Sequence, residues 1–104
     1  MKVAYAPRAL RDVEEILAYT HQHSPRGAHN VSLAIEHAIQ MCALHPHAAA
    51  RTDEPGVRRR PLGKYRYTIF YRALTRDEGI EVVRVVRSAR VRSLGKVPEA
   101  EDEA

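Results

Sequence analysis

The first half of the chain contains two runs of apolar residues with helical spacing. From Pro7 onward, apolar side chains recur every three or four positions, which is typical of a helix that buries one face. Pro7 suits the first turn of that helix, because a residue at this position needs no N–H donor. Ser24-Pro25 then predicts the start of a second helix, in which the same spacing continues until Pro46. We therefore predict a helical hairpin.

The second half alternates apolar and polar residues with the two-residue period of a β-sheet. Residues 65–72 show this alternation, and we predict two further strands at residues 57–62 and 80–87. The last of them is rich in Val and apolar on both faces, which indicates a central strand. Residues 2–5 are predicted to form a short edge strand that ends before Pro7. Residues 46–56 show no period and are predicted to connect the helices to the sheet.

The order of these elements indicates the fold class. The predicted order β-α-α-β-β-β corresponds to an α+β fold, in which an N-terminal αα-hairpin packs on a small antiparallel sheet of three or four strands. The hairpin has to cover one face of the sheet, because neither layer can hide its apolar side alone. In a chain of 104 residues we expect one domain, residues 1–97, followed by an acidic disordered tail, residues 98–104.

Composition favours a cytoplasmic protein with no membrane partner. Hydrophobic residues make up 44% of the chain and charged residues 29%, as in ordinary soluble domains. No apolar run reaches the roughly 20 residues that a membrane helix needs, and the N-terminus lacks the apolar stretch of a signal peptide. The single cysteine, Cys42, excludes an intrachain disulfide and lies within the apolar pattern of the second helix, so we interpret it as a core residue.

Charge is distributed unevenly along the chain. The formal net charge is +4, but residues 1–97 carry 17 basic and 9 acidic side chains, a net charge near +8. Such a positive field favours an anionic partner, which could be nucleic acid, an enzyme of nucleic acid or an acidic protein segment. Charge alone does not distinguish these three.

A run of three arginines is the first candidate site. Alternation along a strand places Arg58 and Arg60 on one face and Arg59 on the other, with Lys64 close behind. The run could bind an anionic target, or it could be a solvated edge strand whose charges block edge-to-edge pairing.

The second candidate site surrounds the last predicted strand. Arg84 stands out because a charge rarely enters a Val-rich strand without a partner or a function. By parity, Arg84 and Arg87 lie on opposite faces of that strand. If Arg84 is structural, we expect a buried acid such as Glu15 or Glu36 to pair with it, whereas Asp12 falls outside the apolar stripe of the first helix. The candidate residues for a target- or antitoxin-binding surface are Arg58, Arg59, Arg60, Lys64, Arg84, Arg87 and Arg90.

Motifs for catalysis by metals or cofactors are missing from the sequence. The histidines all fall in or beside the predicted helices, and His45 and His47 are too close together for a helical ligand pair. No Walker loop, GxSxG, CxxC or HExxH motif is present. Tyr65, Tyr67 and Tyr71 could stack on bases, but their alternation favours core or sheet-face positions. We predict no catalytic residue, metal or cofactor.

Three segments in order carry a resemblance to a known superfamily. They are PRALRDVEEILAY, then TDEPGVRRRPLGKYRYTIFYRAL, then IEVVRVVRSARVRSL. Over residues 3–95 the chain resembles the ParE/RelE toxins of type II toxin–antitoxin pairs. The resemblance implies two N-terminal helices packed on a small antiparallel sheet, and a cognate antitoxin that holds the toxin inactive in a hetero-oligomer.

The superfamily includes two activities, and two positions in this chain separate them. RelE-type toxins cut mRNA in the ribosome, and the resemblance implies an arginine and a tyrosine at positions that Thr68 and Leu94 occupy here. These departures favour the ParE branch, which implies inhibition of DNA gyrase by protein contact and a ParD-like antitoxin. The alternatives are a RelE-like mRNA endonuclease and a non-toxic basic module that binds nucleic acid, although we do not expect direct nucleic-acid binding to be the primary function.

Overall fold

The computed structural model describes residues 2–88, and its α-helices and strands follow the predicted order with one additional strand. They are β1 (Lys2–Tyr5), α1 (Pro7–His23), α2 (Pro25–Leu44), β2 (Ala50–Arg51), β3 (Val57–Pro61), β4 (Tyr67–Ala73), a single 3-10 turn (Thr75–Asp77) and β5 (Gly79–Arg87). The addition is β2, a two-residue strand within the segment that was predicted to be an aperiodic connection.

Local sequence signals set the ends of both helices. Pro7 and Pro25 occupy the first turns of α1 and α2, as predicted. Ser24 caps α2, because its Oγ accepts a hydrogen bond of 2.9 Å from the backbone N–H of Gly27. The buried face of α1 includes Ala9, which is 1% exposed, whereas its neighbour Leu10 is 50% exposed.

The sheet has five strands in the order β1-β5-β4-β3-β2. β1 pairs in parallel with β5, from Lys2 opposite Gly79 to Tyr5 opposite Val82. The other neighbouring strands are antiparallel. The α+β class is confirmed, and β5 is an interior strand with a neighbour on each side. The prediction of a purely antiparallel sheet of three or four strands was wrong. β2 adds a fifth strand, and β1 pairs in parallel with β5, which lies at the opposite end of the described chain.

Two apolar clusters occupy the two faces of the sheet. The larger one lies between the sheet and the helices and includes Ile69 and Tyr71 of β4 together with Cys42 of α2. The smaller one, on the opposite face, includes Phe70 of β4 and Val86 of β5. Cys42 is therefore a core residue, as predicted. Among the helices of residues 2–88, none combines the length and the apolar character that crossing a membrane requires.

Candidate functional site

The three arginines of β3 point to both faces of the sheet. Arg58 lies opposite Tyr71 and Arg60 opposite Ile69, both residues of the helix-side cluster, whereas Arg59 lies opposite Phe70. The predicted alternation is therefore confirmed. All three arginines can contact a single binding partner only at the edge of the sheet beside β3, where side chains from both faces are accessible.

Arg58 and Arg60 approach the region where α2 ends. The Nη1 of Arg58 donates a 2.8 Å hydrogen bond to the carbonyl of Ala49, so this arginine ties β3 to the connection before it. Arg60 is half-buried near Cys42. Burial raises the pKa of the Cys42 thiol, and the positive charge of Arg60 opposes that shift.

Three further cations extend the charge beyond β3. Lys64 is exposed and its Nζ lies 5.5 Å from the centroid of the Tyr65 ring, a cation–π arrangement. Arg66 is exposed in the turn before β4. Arg51, which was not among the sequence candidates, is exposed and lies directly opposite Arg58. Only the pairing of β2 with β3 brings Arg51 there, so no local sequence signal could have identified it.

These residues form one basic region at the β2–β3 side of the sheet. Residues 57–76 contain seven Lys or Arg and no Asp or Glu. Asp53 and Glu54 line a pocket together with Arg51 and Arg58 and offset part of the charge at that end. We call the following set the basic surface: Arg51, Arg58, Arg59, Arg60, Lys64 and Arg66. Their guanidinium and ammonium groups suit carboxylate or phosphate groups of a partner.

Arg84 is buried and does not belong to that surface. Its exposure is 3%, and its Nε donates a 2.8 Å hydrogen bond to Oδ2 of Asp12 while its Nη2 lies 3.2 Å from Oδ1. Asp12 Oδ2 also accepts a 2.9 Å bond from the backbone N–H of Val85, and Arg8 lies 3.4 Å from Oδ1. This two-point pairing is the fork geometry that favours arginine with carboxylate.

The structural alternative for Arg84 is thus the one observed, with a partner that was not expected. Asp12 takes the place proposed for Glu15 or Glu36, and the expectation that Asp12 faces away from the core was wrong because it is only 4% exposed. The reason lies in the sheet: β1 stops pairing with β5 at Val82, which leaves the N–H of Val85 to be satisfied by α1.

Arg87 lies apart from the basic surface, at the end of β5. It is exposed and lies opposite Tyr67, whereas Arg84 lies opposite Phe70, so the strand register has the opposite parity predicted for the two arginines. Both side chains nevertheless reach α1. Arg87 lines a groove between α1 and β5 together with Tyr19 and Glu15. Arg90 and Leu94 lie outside the described residues.

Thr68, where the resemblance implies an arginine in RNA-cutting toxins, is in the interior. Thr68 has 0% exposure, and its Oγ1 lies 2.7 Å from the Oγ of Ser88. A buried hydroxyl pair carries no charge for stabilising a phosphorane and no group that titrates near neutral pH. Within residues 2–88, no group of three or more His, Cys, Asp or Glu side chains is placed to hold a metal ion.

Comparison with known proteins agrees with this architecture. A family model described as the ParE toxin of the type II toxin–antitoxin system parDE matches residues 3–92. The fold is similar to a solved structure described as "Chromosomal ParDE TA system from P. aeruginosa", with a TM-score of 0.69 and 21% sequence identity, over 84% of this chain and 95% of that chain. No curated protein matches the sequence.

Proposed function

The chain belongs to the ParE toxin family of type II toxin–antitoxin systems, and from this premise we propose that a ParD-like antitoxin neutralises it and that its target is DNA gyrase. Gyrase and its inhibitors act in the cytoplasm, so the proposal includes that location. The toxin acts by protein contact and catalyses no reaction.

The observation that carries the proposal is the burial of Thr68. An RNA-cutting relative is expected to present an arginine at this position, and here the side chain is a neutral hydroxyl with 0% exposure, bonded to Ser88. Cleavage through the RNA 2′-hydroxyl requires a base, an acid and cationic stabilisation of the transition state. Only cationic charge is supplied by the basic surface, which suits binding better than catalysis.

The basic surface also supports an acidic protein partner. Opposite charges on two proteins accelerate their encounter and discriminate against wrong partners. An antitoxin segment that folds as it binds could place carboxylates against these cations, while its apolar residues cover neighbouring surface. We therefore include the basic surface in the antitoxin-binding site and expect a hetero-oligomer.

Charge reversal tests that assignment. The variant Lys64→Glu/Arg66→Glu changes two exposed residues of the basic surface, and Arg11→Glu/Arg26→Glu changes two exposed helix residues by the same charge. We expect the first variant to bind the antitoxin encoded by the adjacent gene at least about tenfold more weakly, which is a loss of about 1.4 kcal/mol in binding free energy. Equal loss in both variants would show that only the net charge matters and would remove the basic surface from the site.

A pulse of expression in cells tests the target. We expect stalled replication and DNA damage while translation and mRNA remain intact, and rescue when the antitoxin is expressed together with the chain. Rapid mRNA cutting at ribosomes would instead identify a RelE-like endonuclease. Absence of harm, together with salt-sensitive binding of the chain to any nucleic acid, would identify a non-toxic binding module.

A further inference from the structure

A cavity of about 290 Å³ lies where the end of α2 meets β3. Arg59, Arg60 and His45 line it, together with small and apolar residues such as Ala49 and Pro61. β2 pairs with β3 only at Arg58 and Arg59, so the edge of β3 has no pairing with β2 from Arg60 onward and the cavity opens there. This opening lets arginines from the two faces of β3 line one space.

The polar groups of this cavity are arranged for an anion. Its lining contains two guanidinium groups and no Asp or Glu. The Nε of Arg59 is buried and makes no hydrogen bond within the part of the chain that the structure describes. A buried donor without a partner is unfavourable, and a movement of the Arg59 side chain would let this Nε donate to an oxyanion in the cavity.

The charge balance favours a doubly charged anion. Each guanidinium group carries one positive charge. The carbonyl end of α2, which closes at His45, contributes roughly half a negative charge and so offsets only part of the two positive charges. A phosphate group carries about −1.5 to −2 at neutral pH and matches the remainder, whereas one carboxylate leaves positive charge uncompensated.

We propose that this cavity is a phosphate-binding site, which takes inorganic phosphate or the phosphate group of a small phosphorylated molecule such as a nucleotide. Arg59 and Arg60 hold the phosphate oxygens. The volume lies just below the roughly 300 Å³ at which small-molecule pockets begin, so a nucleotide would place its phosphate in the cavity and leave its base outside. The site does not depend on gyrase being the target, but it shares Arg59 and Arg60 with the basic surface, so bound phosphate would compete with carboxylates of the antitoxin.

Titration of the purified 104-residue chain with sodium phosphate, in chloride buffer of constant ionic strength, tests the proposal. We expect saturable binding with one phosphate per chain. Arg59→Gln and Arg60→Gln should each weaken it at least about tenfold, equivalent to about 1.4 kcal/mol. Arg11→Gln, an exposed helix variant with the same loss of charge, should change it less than about twofold, and circular dichroism confirms that each variant is folded.

Two further titrations identify the source of the phosphate. If adenosine monophosphate binds more tightly than phosphate and adenosine does not bind, the ligand is a phosphorylated molecule; equal affinity for both phosphates indicates the free ion. The proposal is overturned if phosphate binding does not saturate. It is also overturned if Arg59→Gln and Arg60→Gln lose no more phosphate affinity than Arg11→Gln.

Discussion

Asp12 connects the first helix to the last strand through one carboxylate. It pairs with Arg84 and accepts the N–H of Val85, and both members of the ion pair are almost completely buried. Removing one member of such a pair leaves a charge in the interior without compensation, which is far more costly than losing the attraction itself.

We therefore expect Asp12→Ala to lower the free energy of unfolding by about 3–5 kcal/mol, measured by urea denaturation with circular dichroism. The matched control is Glu81→Ala, which breaks the more exposed Arg72–Glu81 pair of 3.2 Å and should cost less than about 1 kcal/mol. If Asp12→Ala is as mild as the control, the buried pair does not stabilise the junction of α1 and β5.

Tyr71 makes stability depend on alkaline pH. Burial raises the pKa of Tyr71 to about 12, and the neighbouring Cys42 adds to the shift. Because the folded state holds this proton more tightly than the unfolded state, where the pKa is 10.0, the contribution is complete below pH 10.0 and is lost as pH rises to about 12.

Tyr71→Phe should consequently reduce the fall in stability between pH 10 and 12, measured by urea denaturation at several pH values in this range. At neutral pH the variant should lose about 1 kcal/mol, because the hydroxyl donates a 3.1 Å hydrogen bond to the carbonyl of Pro46. Tyr19→Phe, at a 54% exposed helix position, controls for loss of a hydroxyl. Equal alkaline slopes in the Tyr71→Phe protein and the unsubstituted chain would contradict this role.

Sequence could mark Arg84 as exceptional but could not identify its partner. A charge within IEVVRVVR requires a partner or a function, and that much is local information. Asp12, Glu15 and Glu36 all lie in helices, and the choice among them depends on how α1 crosses β5. Likewise, the arginine run of β3 was visible in the sequence, whereas the position of Arg51 opposite Arg58 depends on the pairing of β2 with β3.

At the scale of elements, the parallel pairing of β1 with β5 depends on one glycine. Gly79 has φ of +149°, and a Cβ there would overlap the backbone carbonyl of Lys2. Gly56 also has a positive φ, +83°, but no described atom lies within 4 Å of its hypothetical Cβ. A side chain at Gly56 would therefore meet backbone strain alone, whereas a side chain at Gly79 would meet strain and a steric clash with β1.

We expect Gly79→Ala to destabilise the fold by about 2–5 kcal/mol and to release β1, whereas Gly56→Ala should cost about 1–2 kcal/mol from strain alone. Hydrogen exchange of the amides of β1 reports the release directly. Unchanged protection of Ala4 and Ala6 in Gly79→Ala, together with similar stability of both variants, would show that β1 accommodates the methyl group.

The elements themselves were predictable where their signals are local. The helix starts are predictable from the chemistry of Pro7, Ser24 and Pro25, and β4 is predictable from the alternation of residues 67–71. β2 was missed because two residues are too few to show a period. The parallel β1–β5 pair was missed because strand pairing is a contact between distant residues, which periodicity does not report.

For the whole molecule, the charge distribution and the family membership point in the same direction. The cations gather on the β2–β3 side, while the position that would distinguish an RNA-cutting toxin is buried at Thr68. A fold is a weaker guide to a target than a site is, because related domains on one scaffold act on different molecules. The target therefore has to be tested with the purified components.

Supercoiling of relaxed plasmid by purified gyrase, with increasing amounts of this chain, is the most direct measurement. We expect supercoiling to stop in the presence of the chain and to recover when the cognate antitoxin is added first, while mRNA on purified ribosomes stays intact under the same conditions. Undiminished supercoiling by gyrase with a preparation that still kills cells, accompanied by cut mRNA, would contradict the assignment of gyrase as the target.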